Sequence, residues 1–156
     1  MAMLVRIATP ADAEAVGRVG EVAFAAVRRV YRPNPAAHAH LAAVAPCLKR
    51  LVAEVNGQIV GTVRFGILDC NFRIMGLGVL PTFQRQGVAR ALLAQLTNEA
   101  KAQGCSMMAL YTITKTGNVG IFGRLGFHVV LEQPDAYSVS IDGEPLIEAY
   151  MVRPIA

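Results

Sequence analysis

The chain has 156 residues, of which 54% are hydrophobic and 17% are charged, and its formal net charge is +4 at pH 7. This composition supports a packed core and excludes an intrinsically disordered chain. We expect one cytoplasmic domain over residues 1–156. The length fits a single domain, no apolar run could span a membrane, and Arg6, Asp12 and Glu14 interrupt any signal-peptide pattern.

Cysteine spacing and the distribution of charge exclude further classes of protein. Cys47, Cys70 and Cys105 lie far apart without a CxxC pair, which argues against a disulfide framework and a zinc site. His38 and His40 are too few to hold a metal by themselves, so we expect none. The 15 Lys and Arg residues are spread along the chain, which suits an anionic ligand better than nucleic acid.

The first third of the chain predicts one strand and two helices. Residues 3–8 alternate weakly between apolar and polar positions, as a short strand does. Thr9 and Pro10 then begin a helix in which apolar residues recur at helical spacing as far as Val30. A proline-rich segment ends that helix, and a second short helix is expected before Pro46.

The rest of the chain predicts several strands and two helices. Asn56-Gly57 between two β-rich segments is a strong hairpin signal. Apolar residues in segment 87–103 share one helical face, and a short helix is expected over residues 118–125. The expected strands cover residues 48–55, 58–68, 72–79, 106–113, 127–131 and 146–152. This order predicts a mixed α/β sheet covered by helices.

After the strand that ends at Val79, a glycine turn leads into the longest predicted helix. A helix N-terminus presents unpaired N–H groups and a partial positive charge, so it binds phosphate readily. Gly87 and Ala89 keep side chains small at the contact, and Arg85 and Arg90 add positive charge. The segment therefore predicts a pyrophosphate site, with an ordinary tight turn as the alternative.

The strand before that turn contains two glycines. Strict alternation places Ile74, Gly76 and Gly78 on one face, which thus loses side chains towards the turn. Such a face either accepts an extended ligand that hydrogen-bonds to the strand or lets a helix pack closely on the glycines. The sequence leaves both interpretations open.

Two motifs resemble those of the GNAT superfamily of N-acetyltransferases. The family signature Gln/Arg-x-x-Gly-x-Gly/Ala is present as Gln84-Arg85-Gln86-Gly87-Val88-Ala89. An aromatic residue four positions before Gly-Phe is present as Phe122. The order of elements along nearly the whole chain is also similar. The resemblance implies an α/β (α+β) fold with a mixed, mostly antiparallel seven-stranded sheet and about four flanking helices.

The resemblance also implies the ligand and the reaction. Acetyl-CoA is the expected co-substrate, and its acetyl group is expected to pass directly to a primary amine of a small molecule or peptide. The pyrophosphate is expected on the amides of residues 85–90, and the pantetheine in an opening between two strands. The expected acetyl-CoA-binding residues are Leu77, Gly78, Val79, Gln84, Arg85, Gln86, Gly87, Val88, Ala89, Arg90, Asn118 and Phe122.

The acceptor amine is expected to lie near the first two helices, against Phe24, Arg28 and Tyr31. Arg28, together with Arg29 and Arg32, either attracts an acidic acceptor or forms an ordinary charged helix end. Many proteins of this fold form dimers, so a homodimer is one expected assembly.

The sequence departs from the family's pattern at three positions. Phe122 stands where a tyrosine usually protonates the leaving thiolate, Lys115 where an asparagine often contacts pantetheine, and Leu110 where a glutamate base is frequent. Tyr111 is the candidate substitute acid, with an ordinary core tyrosine as the alternative, and no general base is identified.

A missing base favours either an acceptor of low pKa or removal of the proton through a chain of waters. A lysine amine, with a pKa of about 10.4, is only about 0.1% neutral at pH 7.5, whereas an α-amine is about one-third neutral. The departures also motivate two alternatives to an enzyme on the same fold. One is a non-catalytic acyl-CoA-binding module, and the other is a basic scaffold for nucleic acid.

Overall fold

Nine strands and four α-helices make up the fold within residues 2–155, the part of the chain that this computed structural model describes. The strands are β1 (Met3–Ile7), β2 (Tyr31–Pro33), β3 (Lys49–Val55), β4 (Gln58–Leu68), β5 (Asn71–Val79), β6 (Met107–Ile113), β7 (His128–Pro134), β8 (Ser138–Ser140) and β9 (Ile147–Pro154). The helices are α1 (Ala13–Ala23), α2 (Pro35–Val44), α3 (Val88–Ala102) and α4 (Asn118–Arg124). In residues 2–155 no helix has the length and apolar character that crossing a membrane requires.

Seven strands form one sheet in the order β1-β3-β4-β5-β6-β9-β7, and β2 and β8 form a separate two-stranded sheet. Neighbouring strands of the large sheet are antiparallel except for β5 and β6, which are parallel. The mixed, mostly antiparallel seven-stranded sheet with four helices confirms the fold class expected from the sequence.

The two faces of the large sheet carry different helices. On one face, which we call the α3 face, Phe65 and Phe72 pack with Leu92 of α3 in the main hydrophobic core. Half-buried Phe122 of α4 packs against the same core. On the opposite face, the α1 face, Val19 of α1 packs in a smaller apolar cluster of three buried residues. The α1 face therefore leaves part of the sheet for polar side chains.

The first helix is shorter than the sequence predicts. Its apolar spacing continues to Val30, but α1 ends at Ala23, and a 3-10 turn over Val27–Arg29 follows. The chain then enters β2, which pairs with β8. Both strands have three residues, too few to show a strand period in the sequence, and their long-range pairing takes this segment out of the helix.

A bulge interrupts β5 beside β4. Met75 is paired with Arg64, and Gly78 is paired with Thr62, so two residues of β5 face one residue of β4. Gly76, in the bulge, has a φ of +63°, a left-handed value that glycine adopts at little cost. The extra residue breaks the alternation of side chains between the two faces of the sheet.

The bulge makes the expected shared face of Ile74, Gly76 and Gly78 wrong. Ile74 lies in the core on the α3 face, whereas Gly78 faces α1. A methyl group at Gly78 would lie 2.9 Å from Cζ of Phe24 and 3.1 Å from Cβ of Ala23. Close helix packing therefore explains the small residue at Gly78, and it positions the end of α1 over the sheet.

We expect Gly78→Ala to lower the free energy of unfolding by about 1–3 kcal/mol, because the added methyl group overpacks the contact with α1. Gly17→Ala is the matched control, since nothing lies within 4 Å of a methyl group there. That change should stabilise the protein by about 0.5–1 kcal/mol, because alanine suits a helix interior better than glycine. Urea unfolding midpoints measure both effects, and equal effects would contradict the packing account.

Candidate active site

The large sheet opens between β5 and β6. Phe72 is paired with Met108 and Arg73 with Ala109, and these are the only two pairs between the strands in residues 2–155. Both strands continue for several residues beyond them. Their facing backbone groups are therefore free to bond a ligand. Segment 77–79, expected to contact pantetheine, lies along this opening.

The turn between β5 and α3 has a fixed backbone shape. Arg85 has a φ of +60° and Gly87 a φ of +86°, so two nearby residues adopt left-handed conformations. Nε2 of Gln84 donates to the carbonyl oxygen of Val79 at 3.2 Å. Nε2 of Gln86 donates at 3.0 Å to the carbonyl oxygen four residues earlier. The two glutamine side chains thus stabilise the turn by bonding to backbone carbonyl oxygens, and they leave its amides free.

The amides of residues 85–90 have no hydrogen-bond acceptor within the described chain, residues 2–155. Val88 begins α3, so several of these amides belong to the unpaired first turn of a 15-residue helix. Arg85 and Arg90 are exposed beside them. Free donors, the positive end of the helix and two arginines fit the pyrophosphate of a CoA ester.

The two candidate residues on α4 lie on a helix that packs next to β6, the strand on one side of the opening. The Phe122 ring packs edge-on against Phe127, with ring centroids 5.9 Å apart and planes at 74°. The side chain is half-buried and has no proton to donate. Asn118 begins α4, and its backbone amide donates to Oγ1 of Thr116 at 3.3 Å. Lys115 forms an ion pair with Asp142.

Tyr111 lies on β6 just beyond the last β5–β6 pair, on the α1 face. The guanidinium carbon of Arg73 lies 4.4 Å from the centroid of its ring, and the ring of Tyr150 is 4.9 Å away. Partial burial raises the pKa of the Tyr111 phenol above its usual value, so it carries its proton at neutral pH. The residue is 41% exposed.

Glu148 is a carboxylate on the same face that the sequence analysis did not single out. It lies on β9 two residues before Tyr150, which pairs with Tyr111. Nε2 of Gln133 donates to Oε1 of Glu148 at 2.6 Å. Burial nevertheless raises the pKa of the Glu148 carboxyl. A carboxylate of raised pKa suits a proton acceptor, and only the long-range pairing of β6 with β9 brings it to this site.

The expected acceptor residues lie at the end of α1 and in β2. Phe24 packs over Gly78 beside the opening. Tyr31 is half-buried, and burial raises the pKa of its phenol, whereas the adjacent Arg28 lowers it. The ring of His40 stacks on Tyr137 at 5.2 Å. In the described residues 2–155, no three His, Cys, Asp or Glu side chains come together as a metal site.

A sequence profile of the acetyltransferase (GNAT) family matches residues 21–127. The chain belongs to this family. It is an acetyl-CoA-dependent acetyltransferase.

Solved structures of other acetyltransferases have the same fold. The ribosomal-protein-S18-alanine N-acetyltransferase from Escherichia coli is 20% identical, with a TM-score of 0.75 over 99% of this chain and 95% of that one. The yncA protein from Salmonella typhimurium, solved with its cofactor acetyl-CoA, is 24% identical, with a TM-score of 0.73 over 100% and 95%. Nourseothricin acetyltransferase is 19% identical, with a TM-score of 0.73 over all of both chains.

We expect acetyl-CoA at 100 times its dissociation constant to raise the Tm of the protein by roughly 5–10 °C, equivalent to about 2.7 kcal/mol. Gly87→Glu should abolish this shift, because it places a negative charge among the free amides of the turn. Gly104→Glu is the matched control. Its φ of +72° is similar, and nothing lies within 4 Å of a methyl group at either glycine.

The two substitutions impose similar backbone strain at opposite ends of α3. A difference between their acetyl-CoA-induced Tm shifts therefore reports where the ligand binds. Retention of the full shift in Gly87→Glu would place acetyl-CoA elsewhere. Thermal unfolding followed by circular dichroism gives both values.

Proposed function

We propose that this protein transfers an acetyl group from acetyl-CoA directly to a primary amine of a small molecule or a peptide. The proposal rests on one observation: the opening in the sheet adjoins the turn whose amides are free. The opening between β5 and β6 leads along segment 77–79 towards the free amides of residues 85–90. An extended ligand with a thioester at one end and a pyrophosphate at the other fits both the opening and the free amides.

The binding residues follow from this arrangement. Backbone groups of segment 77–79 would hold the pantetheine, and residues 84–90 the pyrophosphate. Asn118 and Phe122 of α4 would border the bound ligand. When bound, acetyl-CoA supplies an activated acyl group, so the chain does not need a nucleophilic side chain of its own.

The protein's own part in the reaction is proton transfer. Glu148 would accept the proton that an ammonium must lose before its nitrogen attacks the thioester carbonyl. As the carbon–sulfur bond breaks, Tyr111 would donate its proton to the departing sulfur. The attacking nitrogen would lose its second proton to form the amide, and the tyrosinate would take up a proton from solvent in exchange. The raised pKa of Glu148 brings a carboxylate closer to the range in which a base works well. Glu148 therefore removes the reason to restrict the acceptor to amines of low pKa.

Release of free CoA tests the proposed function. The protein is incubated with acetyl-CoA and a panel of α-amines, alkylamines, amino sugars and short peptides. A thiol reagent measures CoA, and mass spectrometry detects a gain of one acetyl group on the amine. We expect amine-dependent release above the background of hydrolysis. Binding of acetyl-CoA without transfer to any amine would instead support the acyl-CoA-binding module.

We expect Glu148→Gln to lower kcat/KM for the best amine by about 10²- to 10⁴-fold, because a positioned general base contributes about that much. The wild-type kcat/KM should fall as the pH drops through the raised pKa of Glu148, since the deprotonated form is active. The variant should lose that limb of the pH–rate profile. Its amide oxygen can still accept the bond from Gln133, so packing is preserved.

Glu132→Gln is the control for Glu148→Gln. Glu132 is paired with Ala149 on the same two strands, and it is exposed on the opposite side of the sheet. The change therefore removes one nearby negative charge without touching the proposed site. Equal losses in the two variants would show a general charge effect and would remove Glu148 from the mechanism.

A further inference from the structure

Three arginines lie on the α1 face, and Glu148 is near enough to one of them, Arg73, to interact with it electrostatically although the two form no ion pair in residues 2–155. Arg50 on β3 is paired with Arg64 on β4, and Arg73 lies on β5, two residues before Met75, the partner of Arg64. All three are half-buried. None forms an ion pair with any residue in the part of the chain described, residues 2–155. By contrast, Arg6 on the same face is bonded to both Asp12 and Glu54.

These unpaired charges are unfavourable in the absence of an anion. Burial and then the adjacent Arg64 lower the pKa of Arg50, and burial lowers that of Arg64. Arg50 has only the neutral hydroxyl of Thr62 as a side-chain acceptor, at 2.8 Å. Nε of Arg73 is buried with no acceptor in the described residues. Like charges across a strand pair and unsatisfied buried donors both cost stability.

Two of the three arginines lie close to the opening between β5 and β6. The Arg73 guanidinium stacks on Tyr111, the first exposed residue of β6 beyond the paired positions. Nη2 of Arg64 lies 3.9 Å from the position that a methyl group on Gly76 would occupy. Arg64 therefore lies beside the bulge, and Arg73 lies at the base of the opening. Glu148 is on the same face, farther along, on β9.

We propose that Arg50, Arg64 and Arg73 bind a carboxylate or a phosphate of the acceptor, so that the acceptor is an amine that also carries an acid group. This inference rests on the proposed acetyl transfer. The arginines provide the anionic subsite, and Glu148 attracts the ammonium end. Arg28, Arg29 and Arg32 are exposed in water and offer no such enclosed site. Guanidinium groups suit this task because their planar donors match carboxylate and phosphate oxygens.

Matched acceptor pairs test the substrate class. Glutamate is compared with glutamine, aspartate with asparagine, γ-aminobutyrate with butylamine, and phosphoethanolamine with ethanolamine. We expect the acid of at least one pair to have a kcat/KM about 10- to 100-fold higher than its neutral counterpart, the usual value of charged hydrogen bonds. The phosphate pair separates the two acid types. Neutral amines that react as well as their acids would overturn the inference and leave the acetyltransferase intact.

Variants assign the preference to these residues. Arg64→Gln and Arg73→Gln should reduce the acid-to-neutral ratio of kcat/KM about tenfold each, mainly through KM for the acid. Lys101→Gln is the control, because it removes one exposed cation from α3 on the other face of the sheet. An unchanged ratio in both arginine variants would mean that these residues are structural only. A ratio also reduced in Lys101→Gln would indicate general electrostatic attraction.

A binding measurement separates this inference from acetyl transfer. Glutarate and inorganic phosphate, which have no amine, are titrated calorimetrically with the site for CoA saturated by free CoA. We expect at least one of them to bind saturably to the wild type and about tenfold more weakly to Arg64→Gln, and we expect glutaramide not to bind. Absence of binding by both anions would overturn the inference even if amines are acetylated.

Discussion

Within residues 2–155, two residue pairs are all that join β5 to β6, and the proposed site depends on this short contact. A sheet with a complete ladder there would satisfy its backbone groups internally and would have no place for an extended thioester. The bulge at Gly76 maintains pairing of β5 with β4 on the other side while the strand changes direction. The same strand then ends at the turn that exposes the amides of residues 85–90. In the proposed complex, this one strand would link the acyl end of the ligand to its phosphate end.

The two faces of the sheet carry different kinds of side chain. The α3 face holds most of the buried apolar side chains, including Phe65, Phe72 and Leu92. The α1 face holds a smaller apolar cluster and, beside it, the arginines, Tyr111 and Glu148. Because half-buried charges without partners are costly, a fold keeps them where the other face already supplies the core. The small sheet of β2 and β8 pairs Tyr31 with Ser140. It thus connects the segment after α1 to the segment between β7 and β9.

The sequence predicted what depends on local patterns and missed what depends on long-range register. Turn residues and periodicity predict the Asn56-Gly57 hairpin, the helix after Gly87 and six of the seven strands that follow α2. The structure contains all of these. The bulge at Gly76 was missed because glycine fits both a regular strand and a bulge. Glu148 and the position of Arg73 beside Tyr111 were missed because the β5–β6 and β6–β9 pairings join distant segments, and no local pattern records them. Arg50 and Arg64 face each other across the predicted hairpin, but their burial depends on the rest of the sheet.

Amide hydrogen exchange with and without CoA tests the central claim most directly, because it reports the backbone positions that the ligand covers. We predict slower exchange in two separate segments, residues 77–79 and 85–90, when CoA is saturating. The paired β3–β4 ladder should be affected much less, apart from any global stabilisation, and serves as the internal reference. Protection confined to other segments would contradict the assignment of the opening and the turn as one ligand site. So would CoA binding without protection of either segment.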